Sequence, residues 1–223
     1  MKRFVVALFL AQAICASAQA DRTALKAKAS GGDPQAQVQL GMTYALAVPR
    51  DSEQAMKWFR MAADQGYADG QYRLGGMYEA GIRPTNPAEA SKWYTLAAKQ
   101  GYKDAQYRLA LLYDQGRGLT QDYAEAARWY EKAAAQGRPE AQYRLGEMFE
   151  KGQGVKKDFP AAMKWYMDAA KQGRPEAEYK VGYLYEHGMG VTTNVGTAVS
   201  WYTQSSKQGF PDAIDALKAI ESQ

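Results

Sequence analysis

Few side chains in this sequence are suited to catalysis. His187 is the only histidine, and its position directly before Gly188 indicates the end of a helix rather than a general base. No serine stands at a recognisable spacing to it, so a Ser-His-Asp arrangement is not indicated. Carboxylate pairs occur, but charged columns along helices produce such pairs without any chemistry. We therefore expect no enzymatic activity, no cofactor and no metal site.

The first twenty residues have the pattern of a secretory signal. Lys2 and Arg3 precede an apolar run at 4–14, and small residues then lead to the A-x-A tripeptide at 18–20. This order predicts cleavage after residue 20 and a mature chain that begins at Asp21. The apolar run is too short to span a bilayer, which takes about 20 helical residues. We therefore expect a periplasmic protein with no membrane insertion after cleavage.

Cysteine usage and charge narrow the possible partners. Cys15 is the only cysteine, so the mature chain would have no disulfide and no thiolate. A lipoprotein signal ending at Cys15 is the alternative, although Ile14 is larger than the residue such signals require. Without Lys2 and Arg3 the chain has 26 basic and 24 acidic side chains, a net charge of +2. That balance does not indicate nucleic acid as a partner.

The tryptophans recur at a nearly constant interval, with steps of 35, 36, 36 and 36 residues. Each is followed by an aromatic residue, has an alanine three residues before it and has a glycine eight residues after it. Repeating units of this length are too small to form their own cores, so the pattern predicts a solenoid of stacked repeats. The five tryptophans are Trp58, Trp93, Trp129, Trp165 and Trp201.

Each repeat is predicted to contain two helices, A and B. Helix A is clearest at 139–149, where apolar residues recur on one face. A glycine such as Gly146 inside this helix costs about 1 kcal/mol relative to alanine, which indicates a close helix crossing. Helix B begins after an Asp or Asn seven residues before each tryptophan, such as Asp122, a favourable N-cap. We expect the tryptophans to be buried, so that Trp129→Ala would cost about 3–5 kcal/mol.

Three strings resemble the SEL-like repeat family, which is related to tetratricopeptide repeats. They are Ala141-Gln142-Tyr143-Arg144-Leu145-Gly146, Gly152-Gln153-Gly154-Val155 and Ala162-Met163-Lys164-Trp165-Tyr166. The resemblance covers about 33–215. It implies an all-α, right-handed α/α solenoid of about five SEL-like helix-pair repeats with flanking cap helices.

The expected domain organisation combines the N-terminal signal pattern with this resemblance. Residues 1–20 are the signal peptide, 21–32 an N-terminal cap segment, 33–208 the five repeats and 209–223 a C-terminal cap helix. Asp215 and Lys218 take the places of the tyrosine and glycine of earlier A helices, and polar substitutions suit a cap that no further repeat covers.

A partner-binding surface is predicted on the A helices, which line the concave wall in solenoids that this chain resembles. Rigid tyrosines favour protein recognition, although they could instead only seal neighbouring A helices. A varied column lies beside them, and acidic residues one turn further, expected to be unpaired, should dominate the groove. The candidates are Tyr72, Tyr107, Tyr143 and Tyr179; Leu111, Glu147 and Tyr183; and Glu79, Asp114, Glu150 and Glu186.

The resemblance implies a protein–protein interaction module that binds and regulates or inhibits a partner protein. One family use is an immunity protein against a type VI secreted toxin such as a phospholipase. An adaptor of an envelope signalling or assembly system is an alternative, and a hydrolase acting on cell-wall material is the alternative from another class. We expect a monomer in the absence of the partner.

Overall fold

The computed structural model describes residues 19, 21–81 and 85–222. These residues form helices and no strand, which confirms the predicted all-α class. Within the same ranges, no helix combines the length and apolar character needed to cross a bilayer. The expected signal peptide falls on residues of which all but Gln19 lie outside the described ranges, so it stays a prediction.

The chain divides into two compact units, Met1–Gln100 and Gly101–Gln223. In the first unit a helix at 21–30 (α1) precedes Pro34–Ala45 (α2), Ser52–Asp64 (α3), Ala68–Gly76 (α4) and Pro87–Lys99 (α5). Helix α4 continues as a π-helical turn, Met77–Gly81. Its last residue, Gly81, stands where later repeats have the first glycine of a Gly-x-Gly sequence.

The second unit contains seven helices in the same alternation. They are Lys103–Gln115 (α6), Tyr123–Ala135 (α7), Pro139–Lys151 (α8), Phe159–Ala170 (α9), Pro175–His187 (α10), Val195–Lys207 (α11) and Pro211–Glu221 (α12). Helices α2, α4, α6, α8 and α10 are the A helices. Helices α3, α5, α7, α9 and α11 are the B helices, and α12 is a terminal A-type helix.

Local sequence determines where these helices begin and end. The predicted N-caps of the B helices all form, since each side chain accepts a hydrogen bond from a backbone N–H of the first turn, as Asp122 does from Ala124 and Glu125. Gly116, Gly152 and Gly188 end three A helices in the left-handed conformation, with φ between 64° and 74°, which glycine adopts at no steric cost.

The small residue inside each A helix marks a close contact with the following B helix, as predicted. A Cβ added at Gly146 would lie 2.6 Å from Cδ1 of Tyr166. Equivalent contacts join Gly41 to Phe59, Gly75 to Tyr94 and Gly182 to Tyr202. Ala110 holds the same place opposite Tyr130 in the central core. The helix crossing therefore depends on the aromatic residue that follows each tryptophan.

The expectation that the tryptophans fill the core is wrong for most repeats. Trp58 is 8% exposed, but Trp93, Trp129, Trp165 and Trp201 are only half-buried. The next residue is the buried one, since Tyr94, Tyr130, Tyr166 and Tyr202 are at most 1% exposed. Two neighbouring residues on a helix point about 100° apart, and the helix crossing directs the second of them to the interior.

Candidate protein-binding surface

The tyrosine column of the A helices lies between repeats. In the second unit, the ring of Tyr143 is 5.6 Å from the ring of Tyr166 on one side. On the other side, the guanidinium of Arg174, the residue before α10, lies 4.8 Å from the Tyr143 ring centroid. Burial raises the pKa of Tyr143 to about 12. This tyrosine therefore packs one repeat against the next and leaves only part of its ring accessible.

The same arrangement recurs along the column. Arg138 lies 4.4 Å from the centroid of Tyr107, and Phe210 takes the arginine's place 5.5 Å from Tyr179. In the first unit, the rings of Tyr72 and Tyr94 are 5.8 Å apart. These contacts support the interpretation that the column seals neighbouring A helices, one of the two that the sequence allows.

The acidic column is not unpaired, which corrects the sequence-based expectation. Each carboxylate accepts a hydrogen bond from the hydroxyl of the buried B-helix tyrosine in its own repeat. The pairs are Tyr94 with Glu79 at 2.8 Å, Tyr130 with Asp114 at 3.2 Å, Tyr166 with Glu150, and Tyr202 with Glu186 at 2.5 Å.

Electrostatics keeps these tyrosines as donors. Burial, and then the neighbouring carboxylate, raise the pKa of Tyr130 well above its ordinary value. Burial and Glu186 raise the pKa of Tyr202 in the same way. A buried hydroxyl needs a partner, and the acid supplies it at the edge of the core. Lys180 adds a second bond to Glu150, with Nζ 3.0 Å from Oε1. The acidic side chains therefore stabilise the packing of the A and B helices, which we call the frame, and their carboxylates are already engaged within the protein.

The varied column gives each repeat of the second unit a different chemistry. Leu111 on α6 packs partly against the core formed by α6, α7 and α8. Glu147 on α8 lies between Arg144, at 3.0 Å, and Lys151, at 3.3 Å. Tyr183 on α10 stacks on His187 with ring centroids 4.1 Å apart. All three are partly exposed, at equivalent places in successive repeats.

Sequence reasoning missed a row of buried polar pairs. The A-helix glutamine accepts a hydrogen bond from a glutamine at the C-terminal end of the B helix, as Gln142 Oε1 does from Gln172 Nε2 at 2.7 Å. The sequence contains a pattern that could have indicated these pairs, because a glutamine stands directly before the glycine that ends every repeat. These residues are Gln65, Gln100, Gln136, Gln172 and Gln208.

No cluster of three or more potential metal ligands occurs among the described residues. His187 contributes Nδ1 to a contact of 3.0 Å with the carbonyl of Tyr183 and lies on the surface.

Comparison with known proteins agrees with this geometry. The family model described as Sel1 repeat matches five times, at 34–67, 68–102, 103–137, 139–173 and 175–210. A comparison with curated protein sequences gave no match.

Solved structures show the same fold. A protective antigen of uropathogenic Escherichia coli with an SLR fold is 37% identical, with a TM-score of 0.86 over 89% of this chain and 43% of that one. A Sel1 repeat protein from Oxalobacter formigenes is 35% identical, with a TM-score of 0.80 over 86% of this chain and 81% of that one. An immunity protein from Pseudomonas aeruginosa, 20% identical with a TM-score of 0.52 over 83% of this chain and 72% of that one, shares the fold alone. This chain thus spans less than half the length of the antigen.

Proposed function

Because the chain belongs to the Sel1 repeat family, whose helical repeats are protein-interaction modules, we propose that it is an exported protein that binds a partner protein through its A helices. Binding regulates or inhibits that partner. The proposal concerns the second unit, where the contacts along the A helices are resolved in three successive repeats.

The observation that supports this proposal is that the residues packing the helices are of the same kind in successive repeats, whereas one partly exposed column differs from repeat to repeat. The tyrosines and acids repeat because they hold helices together through specific bonds. Leu111, Glu147 and Tyr183 occupy equivalent places, yet one is apolar, one is charged and one is aromatic. The frame does not require these differences, and partly exposed side chains of this kind supply the anchors and polar contacts of an interface.

Glu147 and Tyr183 are held in place before any partner arrives. Two basic side chains fix the Glu147 carboxylate, and Tyr183 is stacked on His187. Side chains that are already ordered lose less conformational entropy on binding, and this raises affinity for the same contact area. Leu111 is restrained by its partial burial in the core.

Three features support an exported inhibitor. The N-terminal sequence has the signal pattern, the repeats form a binding scaffold, and the shared fold includes an immunity protein. We propose the periplasm as the site of action. A toxin delivered by type VI secretion is the first partner class to test, and an envelope signalling or assembly protein is the second.

The test uses purified mature protein as bait for periplasmic extract and for candidate toxins, followed by measurement of Kd for any protein retained. Replacing Leu111, Glu147 and Tyr183 together by alanine should weaken binding by about 1 kcal/mol or more at each hot spot, at least about fivefold in Kd. Circular dichroism should show that helicity is kept, because the triple change spares the tyrosine–acid pairs.

Lys164→Ala is the matched control. Lys164 is exposed on B helix α9 beside Trp165, so its replacement should leave Kd unchanged. If the triple variant binds normally and Lys164→Ala does not, the B-helix surface is the one that binds. A hydrolase of cell-wall material is tested separately, by incubating the protein with peptidoglycan fragments and with generic ester and lactam substrates. Turnover there would replace the binding proposal with an enzymatic one.

A further inference from the structure

In the repeats before the last one, the A-helix glutamine is an acceptor, and at 37, 71 and 142 it is also a donor. Its Oε1 accepts from the glutamine at the end of the B helix in the same repeat. Its Nε2 donates to the carbonyl of the alanine eight residues earlier, at the end of the previous helix. Such donor bonds run from Gln37 to Ala29 at 3.1 Å, from Gln71 to Ala63 at 3.4 Å and from Gln142 to Ala134 at 3.2 Å.

Glu178 replaces this glutamine in the last repeat. It is 4% exposed, and one carboxylate oxygen keeps the acceptor role, since Oε2 accepts from Gln208 Nε2 at 2.9 Å. The donor role is lost, because an ionised carboxylate has no hydrogen to give. The carbonyl eight residues earlier belongs to Ala170, at the end of α9. Ionised Glu178 therefore has no hydrogen to donate to this carbonyl, whereas the glutamines at 37, 71 and 142 donate an N–H.

Among the described residues, no basic side chain forms an ion pair with this carboxylate. Directly after α9, Lys171 pairs with Asp168 at 3.5 Å, and before α10, Arg174 pairs with Glu176 at 3.4 Å. On α11, Ser205 donates to the carbonyl of Pro175 at 2.7 Å. The other charged groups nearby, Lys207 on α11 and Asp212 on α12, are exposed. The first turn of α10 favours the ionised form, whereas burial raises the pKa of Glu178 above 4.5.

We propose that Glu178 is a proton-sensitive latch between the fourth and fifth repeats. When it is protonated, its O–H donates to the carbonyl of Ala170 and joins α10 to α9, as the glutamines do in earlier repeats. When it is ionised, this link is absent, and the segment α10–α12 opens more readily from the repeats before it. The last repeat carries Tyr183, so opening would remove part of the A-helix surface.

The direction of the pH dependence follows from the raised pKa in the folded state. The stability contributed by protonated Glu178 is complete below its unfolded-state pKa of about 4.5. It is lost as pH rises through the higher pKa of Glu178 in the folded state. One proton changes the opening equilibrium by at most about tenfold per pH unit in this window. Glu178→Gln supplies an uncharged donor at every pH and so removes this pH dependence.

Hydrogen exchange of the full chain, measured by mass spectrometry, tests the latch. Wild type and Glu178→Gln are compared at each pH from about pH 4 to about pH 8, so that the intrinsic pH dependence of exchange cancels. Peptides of α10–α12 should be about equally protected near pH 4. Protection of the variant should exceed that of wild type by at least about threefold near pH 8, a difference within the limit for one proton.

Gln142→Glu provides the matched control, because it places the same substitution one repeat earlier. It should create a similar loss of protection at high pH in α8 and α9. Equal protection of wild type and Glu178→Gln at every pH, or greater protection of wild type at high pH, would overturn the proposal. Binding of a partner does not enter this measurement, so its outcome is independent of the proposed function.

Discussion

The buried tyrosine after each tryptophan should carry more of the stability than the tryptophan itself. Tyr130 is 0% exposed and packs in one cluster with Ala110 and Leu145. Removing a fully buried aromatic ring costs about 3–5 kcal/mol, through lost transfer free energy and the cavity left behind. We therefore expect Tyr130→Ala to lower the free energy of unfolding by this amount.

Trp129 has a different environment. It is half-buried at the edge of the same cluster, and Lys132 Nζ lies 4.1 Å from its ring. Because only part of the ring is removed from water, Trp129→Ala should cost about half as much, about 1.5–2.5 kcal/mol. Tyr130→Phe separates the hydroxyl from the ring, and loss of its bond to Asp114 should cost about 0.5–1.5 kcal/mol.

Urea denaturation followed by far-ultraviolet circular dichroism measures these differences. The expected order of destabilisation is Tyr130→Ala, then Trp129→Ala, then Tyr130→Phe. Tyr202→Ala should cost less than Tyr130→Ala, because the terminal repeat has fewer neighbours and frays. A Trp129→Ala variant that loses as much stability as Tyr130→Ala would refute the assignment of the core to the tyrosine.

Three further predictions concern packing, capping and processing. Gly146→Ala should destabilise the fold by about 1–3 kcal/mol in the same denaturation assay, because a Cβ there lies 2.6 Å from Tyr166; a net gain from helix propensity, about 1 kcal/mol, would contradict the close crossing. Asp122→Ala should cost about 1 kcal/mol by loss of the α7 N-cap, and Asp122→Asn, which retains the acceptor, should cost much less. If the signal is cleaved as predicted, the N-terminal sequence of the protein recovered from a periplasmic fraction should begin at Asp21, whereas a lipid-modified form that depends on Cys15 would exclude the cleaved signal.

Local signals in the sequence are sufficient to predict where the helices begin and end, but not which face of each helix is turned toward the core. N-caps such as Asp122 and helix-ending glycines such as Gly152 act within one turn, so the sequence predicts them directly. Burial of Tyr130 rather than Trp129 depends on how α7 crosses α6 and α8, and a single helical wheel does not contain that angle. The glycine at 146 indicated a close crossing without indicating which aromatic residue meets it.

The acidic column is a second feature whose role could not be predicted from the sequence alone. Asp114 and Tyr130 are 16 residues apart, as are Glu150 and Tyr166, and Glu79 and Tyr94 are 15 apart. This nearly constant separation is visible in the sequence. Its meaning requires knowing that both helices of a repeat present these residues to one edge. Without that geometry, a regularly repeated acid has the same pattern whether it is free for recognition or engaged by a buried hydroxyl.

The structure therefore changes which residues are candidates for recognition. A side chain that holds the frame has a partner of fixed type in its own or the neighbouring repeat, as Glu150 has in Tyr166 and Lys180. Replacing it would alter stability and binding together, so it cannot identify a binding site. Leu111, Glu147 and Tyr183 have no common partner, and their replacement can alter binding while the frame remains. Specificity in this chain is therefore best sought where the repeats differ.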